Sequence, residues 1–155
     1  MEFRTLNVCI IFYGLCPMAS LHMITERKLY NLAKKIFTVL KLENVATEII
    51  LLPHADMAAM KRRFFKKQTE PNVISFRNPA IFPHPEIKRK RHLGEIFLNR
   101  DILARQPERT AHLLAHGILH LAGHDHKKKA DALKMERLER KILKTLEGAK
   151  GRGVR

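Results

Sequence analysis

A chain of 155 residues with 45% hydrophobic content has the length of one domain and apolar mass for one core, which excludes collagen-like and disordered classes. Thirty Lys and Arg against fifteen acidic residues leave a formal net charge of +15, so a polyanionic partner is expected, nucleic acid ahead of an anionic membrane face. No repeat recurs along the chain, and no apolar run reaches the ~18–20 residues of a membrane span.

At the N-terminus, Arg4, an apolar run from Val8 to Cys16 and the pair Ala19-Ser20 have a faint likeness to a secretory leader. The β-branched Val8, Ile10 and Ile11, with Glu2 and Asn7 interrupting the leader pattern, favour a buried first strand over Leu6 to Tyr13. Cys9 reads as a small core residue. Together with Cys16 it shows neither CxxC spacing nor a disulfide framework, and a cytoplasmic location follows as the expectation.

Thr25 is a candidate N-cap for a helix whose apolar stripe is Leu29, Leu32, Ala33, Ile36, Phe37 and Leu40. Thr47 to Leu52 reads as a second strand, stopped by Pro53. A helix from His54 to about Lys66 follows, with Met57, Met60 and Phe64 inward and a basic end. Asn72 to Phe76 and Gly94 to Asn99 read as the third and fourth strands. Between them Pro79, Pro83 and Pro85 exclude helix and central strand, which leaves a surface loop projecting positive charge.

Two helices close the chain. One runs from Pro107, at its first position, to Ala122, where Gly123 supplies a left-handed turn. The other spans Lys129 to Leu146 with Met135, Leu138, Ile142 and Leu146 on one stripe. The expected fold is a single α+β (or mixed α/β) domain over residues 1–147. It has about four strands in a mixed sheet with surrounding helices, and a basic, disordered tail from 148 to 155.

The cations are bunched. Arg62, Arg63, Lys66 and Lys67 form one block and Lys88, Arg89, Lys90 and Arg91 another; with Arg77 they are the candidate contacts to nucleic-acid phosphates. With 6% aromatics and no Trp, extensive base stacking is not expected, so sequence-specific readout is not predicted.

The chemistry concentrates in HLLAHGILHLAGHDH, His112 to His126. Residues four apart on a helix share a face, so His116 and His120 aim their imidazoles at one point. Gly123 ends the helix and lets the chain reverse, which brings His126 within reach as a third ligand. His-x3-His-x2-Gly-x2-His is the zinc spacing of the metzincins. Three nitrogens leave a tetrahedral position open, the mark of a catalytic rather than a structural site. Zinc is the first choice, with nickel, copper or iron also compatible with imidazole ligation. Proteases place a general-base Glu after the first His; Gly117 stands here instead, which counts against peptide hydrolysis. Asp125 is a candidate proton acceptor or orienting group, and equally a turn-forming Asp. His112, one turn before His116, is expected to be a buried structural residue.

HGILHLAGHDH at 116–126 closely resembles the HGxLHLxGxDH signature of the YbeY endoribonuclease family. LGEIFLNRDIL at 93–103 and NVISF at 72–76 are similar to further segments of that family, so the likeness covers most of residues 6–146. The resemblance implies a mixed sheet with surrounding helices and one zinc held by His116, His120 and His126. It further implies cleavage of single-stranded RNA in small-subunit rRNA 3′ end maturation and ribosome quality control. The partners it implies are rRNA and the small ribosomal subunit, with ribosomal proteins or a ribosome-associated GTPase beside them. The family's Tyr-Arg pair, counted back from Ser75-Phe76, falls here on Phe64-Phe65, and the proline after Ser-Phe is replaced by Arg77. The competing reading is an RNA-binding ribosome assembly factor whose zinc is structural and whose cleavage is weak or absent.

Overall fold

Alternation along the strands sorts apolar side chains onto two faces, and each face recruits its own helices. A computed structural model describes residues 7–12, 26–66, 69–79 and 90–150. In chain order these form β1 (Asn7–Phe12), α1 (Glu26–Val39), β2 (Val45–Leu52), α2 (His54–Phe65), β3 (Val73–Arg77) and β4 (Arg91–Asn99). Then come α3 (Arg100–Arg105), a 3-10 turn at Pro107–Arg109, α4 (Thr110–Leu121) and α5 (Lys129–Lys150). The strands make one mixed sheet in the order β1-β2-β4-β3, with β3 antiparallel at one edge and the other pairings parallel.

The larger core lies between one face of the sheet and α1, α4 and α5. Ile49, Leu51, Ile96 and Leu98 meet Ile36, Phe37, Leu114, Ile118 and Met135 there, all essentially out of solvent. The register Ile49↔Ile96 and Leu51↔Leu98 keeps these residues on one face; a slip by one position would turn them all outward. A smaller core on the opposite face joins Ile50, Leu52 and Ile74 to Met57 of α2. Asn99 knots the end of β4: its Oδ1 accepts from the N–H groups of Asp101 and Ile102, and its Nδ2 donates to the carbonyl of Pro71 at 2.9 Å. Fully buried with those partners, it starts α3 and pins the entry of β3 beside the exit of β4.

Several expectations are corrected. Phe64 does not point inward. The last turn of α2 reaches only the ring of Phe76 on the edge strand, so Phe64 stays 57% exposed. Pro107 opens the 3-10 turn rather than the long helix, which begins at Thr110, whose hydroxyl donates to the Pro107 carbonyl at 2.7 Å. The short helix α3 has too few residues to show an apolar period and owes its start to the Asn99 cap. Helix α5 runs on through Gly148 to Lys150, so the first residues of the expected tail are helical. The readings of Cys16, Thr25, Pro83, Pro85, Lys67, Lys88, Arg89 and residues 151–155, and of the Cys9 side chain, lie outside the described residues.

Candidate metal centre

Helix α4 ends in a motif that satisfies its last carbonyls by turning the chain back. Gly123 takes φ +98°, its N–H donates to the His120 carbonyl, and the His124 N–H donates to that of Leu119. This reversal carries His126 to the two histidines of the helix face. The ligand nitrogens of His116, His120 and His126 lie within 4.8 Å of one another, so the three could hold a metal ion. His116 Nε2 and His120 Nε2 are 3.1 Å apart, and the His126 ring stacks 5.7 Å from that of His116.

The donor set fits a metal. Zn–N bonds of ~2.0–2.1 Å in a tetrahedron place two ligand nitrogens roughly 3.3 Å apart, close to the helical pair. His126, exposed on the turn, is the ring with room to close the remaining separation. Glu139 of α5 approaches His116 Nδ1 with its Oε1 at 2.6 Å. An ionised carboxylate only accepts, so the ring proton sits on Nδ1 and the Nε2 lone pair faces the cluster. Burial first, then the two adjacent imidazoles, push the His120 pKa below its usual value, which favours the neutral, ligating form. Burial and Lys134 do the same to His124.

Asp125 lies beside the cluster in sequence, and its Oδ1 accepts the backbone N–H of the next residue, His126, at 2.7 Å. That hydrogen bond, with help from Lys127, holds its carboxyl below the usual range. His112 is not the buried residue expected. Its side chain is 49% exposed, on the surface side of the α4–α5 contact, with Nε2 3.5 Å from Glu139 Oε2.

Gly117 owes its place to packing. A Cβ there would lie 2.9 Å from Ile96 Cγ2 and 3.1 Å from Ser75 Oγ, so this position faces the sheet and has no room for a side chain. A general-base carboxylate has no place at position 117 in this fold.

Among the candidate phosphate contacts, Arg77 is the one brought to the turn between His120 and His126. Its guanidinium covers Gly123, with Nη1 3.0 Å from where a Cβ would stand. It is exposed and has no hydrogen bond or ion pair among the described residues. Arg91 lines the same shallow cleft as Arg77, and Lys90 precedes it in the chain. Arg62, Arg63 and Lys66 lie apart from these, exposed at the far end of α2. Two features escaped sequence reasoning. Glu139 carried a faint signal, as an acid one helical turn from Met135 on the inward side of a mostly basic helix. The Arg77–Gly123 approach carried none.

Residues 19–147 match the family model described as Endoribonuclease YbeY. A Bartonella henselae protein named Endoribonuclease YbeY is 37% identical over 135 residues, which span 78% of this chain and 84% of that one. One of the same name from Chelativorans is 37% identical over 106 residues, 63% of this chain and 64% of its own length. In fold, the chain resembles the solution structure of a Thermotoga maritima protein, with a TM-score of 0.51 at 19% identity, covering 96% of this chain and 99% of the other.

Proposed function

The chain belongs to the Endoribonuclease YbeY family, and on that premise we propose that it is a zinc-dependent endoribonuclease that cuts single-stranded RNA. The observation carrying this reading is the convergence of three imidazoles, with the Arg77 guanidinium over the turn at Gly123, in a strongly basic domain. His116, His120 and His126 would hold the ion. A zinc ion supplies Lewis acidity, enough to bring water into play as a nucleophile near neutral pH or to polarise a phosphoryl oxygen.

The chain's own groups do the rest. Glu139 keeps the His116 proton on Nδ1, so that Nε2 stays a donor of electrons. Arg77 offers a planar fork of N–H donors suited to a phosphate, and makes up in this chain for the cation missing at Phe65. Arg91 and Lys90, with Lys88 and Arg89 of the same run, would hold flanking phosphates, and binding would weaken steeply with salt. The substrate we favour is rRNA, in 3′ end processing of the small-subunit RNA and in ribosome quality control. The small subunit and its associated proteins, including a GTPase, would be the cellular partners. Among the described residues no helix is long and apolar enough to cross a membrane.

A structural role for the metal is the weaker reading, because the core under α4 is built of apolar side chains and the histidines lie outside it. Leu114, Ile118 and Leu121 are buried against the sheet and α5, while the histidines sit half-exposed or exposed at the surface. The test pairs elemental analysis with cleavage of single-stranded rRNA fragments, with and without a chelator. About one zinc per chain, with cutting that chelation stops in a protein still folded, supports the enzyme. Zinc without cutting, or unfolding on chelation, would move the assignment to an RNA-binding assembly factor.

A further inference from the structure

The final turn of α2 leaves two large aromatic side chains in water. Phe64 is 57% and Phe65 45% exposed, because the last turn of α2 runs past the edge of the sheet, with Phe76 of the edge strand beneath both rings. They are held in place: the Phe64 ring meets Phe76 edge-on at 5.3 Å and the Phe65 ring lies over it at 6.1 Å and 25°. Phe76 in turn packs edge-on against Phe97 at 5.8 Å, which anchors the group to the sheet. The Arg63 guanidinium lies 5.7 Å from the Phe64 centroid, and Arg62 and Lys66 are exposed beside it.

We propose that Phe64 and Phe65, backed by Phe76, form a shelf on which an unpaired nucleobase of the RNA strand stacks. This rests on the ribonuclease reading and extends it to how the strand is gripped. Fixed aromatic faces ringed by cations are complementary to a base with its flanking phosphates, and the stacking is tolerant of sequence. A purely apolar partner would leave the three cations at the rim without a counter-charge. Position supports the same occupant. Phe76 and Arg77 are consecutive on β3, so their side chains leave the sheet on opposite faces of an edge strand. The shelf therefore sits round the edge from the histidines, with Arg77 between. A single strand bends round such an edge, whereas a stiff base-paired duplex does not.

The test measures binding apart from cutting. Full-length protein in chelator is titrated with a single-stranded RNA oligonucleotide, with a matched oligonucleotide carrying abasic sites, and with the duplex. Phe64→Leu/Phe65→Leu keeps apolar contact with Phe76 and removes the aromatic faces, while Phe64→Tyr/Phe65→Tyr restores them. The expected result is at least about fivefold weaker binding of the base-bearing strand by the Leu variant, little change for the abasic strand, and recovery in the Tyr variant. Equal affinities of wild type and Leu variant for the base-bearing strand would overturn the shelf, and would be the outcome if these rings instead docked a protein. Loss of base-dependent binding in a protein that never cuts RNA would leave the shelf standing and remove the ribonuclease reading. Cutting with binding indifferent to the Leu substitutions would do the reverse.

Discussion

Glu139 Oε1 lies 2.6 Å from His116 Nδ1, so a residue of α5 decides which nitrogen of a histidine on α4 is free to bind. Its other oxygen lies 3.5 Å from His112 Nε2, which spreads the carboxylate over two rings one helical turn apart. Helix α5 thus closes the core and also orients the site.

Replacing Glu139 by Gln retains the shape and removes the charge that holds the proton on Nδ1. Metal affinity should fall about 10- to 100-fold, with the helical content unchanged. Competition against a chromophoric chelator measures it, and an unaltered affinity would show that His116 is oriented by its helix alone.

Gly123 combines φ +98° with the guanidinium of Arg77 3.0 Å from its missing Cβ. Gly123→Ala should cost about 1–2 kcal/mol, from backbone strain and displacement of Arg77, and should weaken metal binding by shifting His126. Gly148→Ala is the contrast. It lies on α5 with nothing within 4 Å, so it should be neutral or stabilise by up to ~1 kcal/mol. Thermal denaturation of the two variants would reveal the opposite signs; a stable Gly123→Ala protein would refute the strain.

At Gly117 two effects oppose. Alanine in a helix interior gains ~1 kcal/mol over glycine, but here its Cβ would press on Ile96 Cγ2 at 2.9 Å, in a core where overpacking costs ~1–3 kcal/mol. The clash should win, because Ile96 is fully buried and hemmed in. Gly117→Ala is expected to lower Tm by several degrees, and a raised Tm would mean that β4 gives way easily.

Glu95 offers a pH dependence away from the metal. Burial first, and then the charge of Glu48, raise its pKa above the ordinary 4.5. A carboxyl with a raised folded-state pKa binds more protons when folded, so its favourable contribution is complete below the unfolded value. It is lost as pH rises through the folded one. Glu95→Gln should therefore raise Tm at pH 7 and make little difference near pH 4, as read from melting curves across that range. A uniform shift at all pH values would point to packing instead.

The features legible in the sequence are those that one helix or one strand decides by itself. The pairing of His116 with His120 follows from the pitch of a helix, and the return of His126 from the conformational freedom of Gly123. The four strands were readable because each is a short, largely apolar run in the sequence. The inward face of α2 was misread at Phe64, since periodicity tells which side of a helix is apolar but not where the sheet beneath it ends. Glu139, Arg77 and the aromatic group of Phe64, Phe65 and Phe76 are contributions of the tertiary structure alone. Each depends on contacts between separate elements, made when apolar faces pack and carry their polar neighbours along. The sequence by itself determined that three histidines can share one ion. Packing of α5 and the sheet around them decided which proton is fixed, which cation stands nearby and why position 117 favours glycine.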